Sequence, residues 1–96
     1  MIQELEDNTV YQASTLGSLT ITLPNGVTPD YISQINFTSG NTATTLTAQN
    51  TIVWFGDDIT NDVFVPTADK QYVVMFYYDG VNVRGAVQSY ASQQNA

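Results

Sequence analysis

The chain of 96 residues has no Cys, no His and only two cations, Lys70 and Arg84. Without Cys there is no disulfide, no thiolate nucleophile and no zinc–thiolate site, and without His there is no imidazole base and no usual transition-metal ligand. Nine acids against two cations give a net charge of −7, so recognition of nucleic acid by phosphate neutralisation is not expected. No apolar run approaches the ~20 residues of a membrane helix. The start Met1-Ile2-Gln3-Glu4-Leu5-Glu6-Asp7 is acidic where a cleaved signal would be basic and then apolar. Neither a membrane partner nor secretion by a cleaved signal is expected.

What is present favours strands. Thr, Ser, Asn and Gln supply 35 residues, whereas charged residues are 11% of the chain, so the surface is polar but barely ionic. Val, Ile, Thr and ten aromatics besides the single Trp suit a pleated sheet, and the strong helix formers Lys, Glu and Arg are scarce. The length allows one module, and a β domain this small without disulfides or metal often gains stability by oligomerising.

The apolar pattern locates the strands. Leu19, Ile21 and Leu23 alternate with Ser18, Thr20 and Thr22, the period of a half-buried strand that Pro24-Asn25-Gly26 ends. Tyr31 to Thr38 follows, with Tyr31, Ser33, Ile35 and Phe37 sharing a face. Thr42 to Thr47 reads as a weak edge strand, Thr51 to Phe55 as a bulky one, and Val63 to Val65 as a short one stopped by Pro66. Tyr72 to Tyr78 is the longest apolar run, and Asp79-Gly80 predicts a hairpin into Val81 to Gln88. The expected fold is therefore all-β, a small antiparallel β-sandwich or jelly-roll-like module of seven to eight short strands. Residues 1–17 read as an N-terminal arm, 18–90 as the β module and 91–96 as a polar C-terminal tail.

In Tyr72 to Tyr78 one side carries Tyr72, Val74, Phe76 and Tyr78 and the other Val73, Met75 and Tyr77, so both faces need cover. Either a loop or the arm overlies the second face, or neighbouring subunits do. The second account makes Trp54, Tyr72, Val74, Phe76, Tyr77 and Tyr78 an oligomer interface, with a trimer as the favoured assembly.

Chemistry-bearing clusters are few. Asp57, Asp58 and Asp62, with Asn61, could gather oxygens around Ca²⁺, but the spacing is not that of an EF-hand and these are also ordinary turn residues. Asp57 or Asp58 opposite Asp79 would be the carboxylate pair of a glycosidase, yet the chain is too short to build a sugar cleft around it. No enzymatic activity and no cofactor are expected. Tyr31, Trp54, Tyr77, Tyr78 and Tyr90 could offer a sugar-stacking platform, although each also reads as a core or interface residue.

The succession Asp30-Tyr31-Ile32-Ser33, Phe37-Thr38-Ser39-Gly40, Thr42-Ala43-Thr44-Thr45-Leu46-Thr47, Gly56-Asp57-Asp58, Phe64-Val65-Pro66, Lys70-Gln71-Tyr72 and Tyr77-Tyr78-Asp79-Gly80-Val81-Asn82 resembles small β modules of tailed phages of gut bacteria. Those modules occur as short virion proteins or as C-terminal pieces of head-fibre and tail-associated proteins. The resemblance covers residues 18 to 88. It implies a virion structural protein, a head fibre or capsid decoration subunit, assembled in the bacterial cytoplasm. Its partners would be its own copies and other virion proteins. In that setting the N-terminal segment is expected to attach to the particle through Ile2, Leu5, Val10 and Tyr11. A tail-associated module that binds a receptor or host surface glycans is the alternative.

Overall fold

The computed structural model describes residues 1–91, and within them the chain is all-β. Ten strands follow one another: β1 (Ile2–Glu4), β2 (Thr9–Leu16), β3 (Ser18–Thr22), β4 (Ile32–Ser39), β5 (Thr45–Ala48), β6 (Ile52–Gly56), β7 (Ile59–Thr60), β8 (Val63–Phe64), β9 (Lys70–Tyr78) and β10 (Val83–Ala91). They form a three-stranded sheet ordered β1-β3-β5, a five-stranded sheet ordered β2-β4-β9-β10-β6, and the small β7-β8 hairpin. Residues 92–96, most of the expected polar tail, lie outside the described residues.

The first six strands alternate between the two larger sheets. Each strand thus returns to its own sheet after a passage through the other, which makes neighbours run the same way: β1 with β3, β3 with β5, and β2 with β4 are all parallel. A further parallel pair joins β6 to β10. Antiparallel pairing is confined to β4 with β9, β9 with β10, and β7 with β8. The expectation of an antiparallel module is corrected here to mixed sheets, and the seven or eight expected strands become ten. Turn residues mark where a strand ends; they carry no information about the layer in which the next one begins.

One core unites the layers. Leu19 and Ile21 of β3 point at Ile35, Phe37, Tyr72, Val74, Phe76, Val83, Val87, Ile52 and Trp54 of the five-stranded sheet within a single buried cluster. Phe64 of the hairpin closes it, with ring centroids 5.4 Å from Trp54 and 5.1 Å from Tyr72. Each fully buried large side chain contributes roughly 1.5–3 kcal/mol, so this cluster carries most of the driving force. This arrangement is compatible with a small β-sandwich.

Residues 1–17 are not an arm. Residues of β1 hydrogen-bond along β3, the Leu5 amide donates to the Thr22 carbonyl at 2.9 Å, and the Asn8 amide donates to the Ile32 carbonyl at 2.6 Å. Leu5 is fully buried in the common core. Thr9 to Leu16 then forms an edge of the five-stranded sheet, and the chain turns at Gly17 directly into β3. This segment belongs to both sheets because its alternating Val10, Gln12 and Ser14 leave Tyr11 and Ala13 free to face the core.

Candidate functional site

Because side chains alternate along a strand, the five-stranded sheet has a second face that points away from the core. Its residues line up in rows through the observed registers. Ile32, Tyr77, Arg84 and Val53 form the first row; Val10, Gln34, Met75, Ala86 and Phe55 the second; Gln12, Asn36, Val73 and Gln88 the third; and Thr38, Gln71 and Tyr90 the fourth. No other element of the chain covers this face among the described residues. Val10, Ile32, Phe55, Met75 and Tyr77 are all exposed there, at 56%, 43%, 43%, 40% and 37%. Phe55 and Tyr77 meet edge to face with centroids 6.5 Å apart. The first two rows are thus an apolar patch, and the last two are a field of amides and hydroxyls.

The charges are sorted just as sharply. The five strands of this sheet contain no Asp or Glu, and they hold both cations of the chain. Glu4 sits on β1 and the other eight acids are in loops. Both cations are met by loop carboxylates: Lys70 lies 3.2 Å from Asp58, and Arg84 Nε donates to Asp79 at 2.6 Å. What remains on the open face is close to neutral, in a molecule of net charge −7.

The expected interface set divides between the two faces. Tyr72, Val74, Phe76 and Trp54 are buried in the core of their own chain. Tyr78 also turns inward, packs against the core and donates its hydroxyl to the Gly80 carbonyl at 3.1 Å. Tyr77 alone of the six lies on the open face. The sequence pattern marked both faces as apolar, but it could not say that one of them was the core. The attachment set also divides: Ile2 and Val10 are exposed, whereas Leu5 is buried and Tyr11 is partly buried, its hydroxyl accepting from the Glu6 amide at 2.8 Å. Val10 therefore belongs with the patch of Met75 and Tyr77. Sequence reasoning missed Ile32, Phe55 and Met75 as a group, and the signal that could have found them was their parity opposite Phe37, Trp54 and Phe76.

Asp57, Asp58 and Asp62 are not drawn together into one cluster. No three acidic side chains come together among the described residues. Asp57 Oδ2 accepts from the Ser89 amide and hydroxyl at 2.9 and 3.1 Å, and Asp58 Oδ2 accepts from the Tyr72 hydroxyl at 2.6 Å. Asp58, Asn61 and Asp62 all have positive φ, which explains the run of small polar residues as turn chemistry. Tyr31 is likewise structural, since its buried hydroxyl donates to the Leu5 carbonyl at 2.6 Å.

These contacts shift several ionisations. The Tyr72 hydroxyl, followed by Lys70, holds the Asp58 carboxyl below its usual range, against the opposing effect of burial. Burial, reinforced by Asp58, pushes the Tyr72 phenol up, and burial does the same to Tyr31. Asp79 is held down at about 2 by the Asn82 amide, the Arg84 guanidinium and the Val81 amide. A carboxyl depressed by folding stabilises the native state above its unfolded pKa of ~3.9, and that contribution disappears as pH falls through the folded value. Urea midpoints measured from pH 5 to pH 2 should therefore fall below pH ~4. Asp79→Asn should flatten that decline; an unchanged profile in the variant would show that the hairpin carboxylate is not its source.

Against this geometry, no family model matches the chain, and neither curated proteins nor solved structures provide a match.

Proposed function

We propose that this chain is a non-enzymatic structural module that self-associates through the open face of its five-stranded sheet. It would be a virion subunit of the head-fibre or capsid-decoration kind that its resemblance to phage β modules implies. The observation that carries the proposal is the apolar patch of Val10, Ile32, Phe55, Met75 and Tyr77 on a sheet free of acids. A second copy is the partner such a face suits. Two chains of net charge −7 repel wherever their loops meet, yet the strands of this face carry no carboxylate of their own, and Asp79, which reaches its rim, is paired with Arg84. Five strands at ~4.8 Å spacing and about eight residues at ~3.4 Å each give a whole face of roughly 600 Å² in plan, of which the two apolar rows are about half. The apolar half lies below the ~800 Å² each partner contributes to a standard-size pair, so it suits an association that strengthens with concentration. In finer detail we read the two facing layers as a small sandwich. Attachment to other virion proteins falls to exposed Ile2 and the short β1 edge.

The test is the mass of the purified protein by light scattering. The native chain should give a multiple of 10.5 kDa, three copies matching the assembly favoured by the sequence and two copies a face-to-face pair. Tyr77→Ser and Met75→Glu, both at solvent-facing positions, should drop the mass toward one chain while leaving the thermal midpoint of the fold nearly unchanged. A native protein that stays monomeric at high concentration would sink the proposal.

A further inference from the structure

The third and fourth rows of the open face do not suit subunit packing, because they are a shallow trough lined by amides and hydroxyls. Its floor is Asn36, Thr38, Gln71 and Val73 on the central strands β4 and β9, and its volume is about 300 Å³. Gln12 on β2 forms one wall and Tyr90 on β10 the other. Three strand spacings separate these walls, roughly 14 Å, which admits one or two pyranose rings side by side with the sheet. Tyr90 is 50% exposed, and it is paired with Gln71 in the strand register.

We infer that this trough binds a neutral carbohydrate. Sugar recognition needs an aromatic face for the apolar C–H side of a pyranose and fixed amides that can both donate and accept for its hydroxyls. Tyr90 supplies the first, and Gln12, Asn36, Gln71 and neighbouring Gln88 the second. Asn36 is oriented by Gln34, whose Nε2 donates to Asn36 Oδ1 at 2.9 Å, which leaves the Asn36 amide group free to donate into the trough. The ligand is neutral because no charged side chain lines the trough among the described residues. Lys70 points to the core side and is held by Asp58, and Arg84 is two rows away and held by Asp79. An anionic sugar would find no counter-charge there, and an acidic molecule would repel it at long range. The site lies on the same sheet as the self-association patch but two rows along the strands, so occupancy of one does not require the other.

The experiment is an amide-detected NMR titration of the full chain with lactose, maltose, cellobiose and di-N-acetylchitobiose, and with sialyllactose as the charged comparison. At least one neutral sugar should shift the side-chain amides of Gln12, Asn36 and Gln71 in a saturable way, with sialyllactose no better than lactose. Tyr90→Ala should weaken that binding by about tenfold, while Val63→Ser, at an exposed position of the β7-β8 hairpin outside both sites, should leave it unchanged. No saturable shift with any neutral sugar, shifts that map elsewhere, binding of the charged sugar alone, or affinity untouched by Tyr90→Ala would each overturn the inference. None of these outcomes bears on the oligomer mass, so the two proposals fail separately.

Discussion

Gly56→Ala is expected to lower the unfolding free energy by at least ~3 kcal/mol. Gly56 ends β6 with φ at +110°, a backbone that side chains with a Cβ rarely adopt. An added Cβ would stand 2.1 Å from the Val87 carbonyl oxygen and 2.9 Å from the Val87 amide nitrogen. Both obstacles are backbone, so no rotamer change relieves them. β6 and β10 must instead separate where Gly56 is paired with Val87 and where the Asp57 amide donates to the Val87 carbonyl at 3.0 Å. For a domain of this size the thermal midpoint should drop by more than about 12 °C, as followed by circular dichroism. A fall of only a few degrees would mean that the β6 edge yields locally and is not rigidly tied to the sheet.

Leu5→Ala should cost about 2–5 kcal/mol, the range for truncating a fully buried leucine. The value matters because it separates two views of the N-terminal segment. If residues 1–17 were an attachment arm, Leu5 would be dispensable for folding and important for binding. In the structure its side chain is wholly inside the core, and its carbonyl accepts the Tyr31 hydroxyl. Urea unfolding of Leu5→Ala beside Ile2→Ala, whose side chain is 76% exposed, gives the contrast. A large loss for Leu5 and little for Ile2 is the expected result, whereas equal and small losses would restore the arm.

The strands themselves were largely legible in the sequence. Leu19 and Ile21 announced β3, Ile35 and Phe37 announced β4, and Asp79-Gly80 announced the β9–β10 hairpin, because alternation and turn chemistry are local properties. The sheet partners were not legible. Nothing in Thr9 to Leu16 says that it lies beside β4 in parallel, since that follows from a chain whose first six strands change layer at each turn. The candidate site suffered the same loss. Tyr77 was marked by its place in a two-faced strand, but Val10, Ile32 and Phe55 join it only through the register of three other strands. Acidic Asp57 and Asp58 drew notice as a cluster, yet each is spent on a different partner, a hydroxyl and amide of Ser89 for one and Tyr72 with Lys70 for the other.

The position of β9 sets the tempo at which this molecule can form. It is the middle strand of the five, yet β4 must wait for it across residues 40–69, and β6 reaches the sheet only through β10, which follows it. Closing such loops removes chain freedom before any contact repays the loss. Folding should therefore be slow for a domain of this length, in the millisecond-to-second range of proteins dominated by non-local pairing. Until β9 arrives, β4 lacks the partner that its inner edge has in the native sheet, and an unpaired strand edge is open to capture by another chain at the same stage.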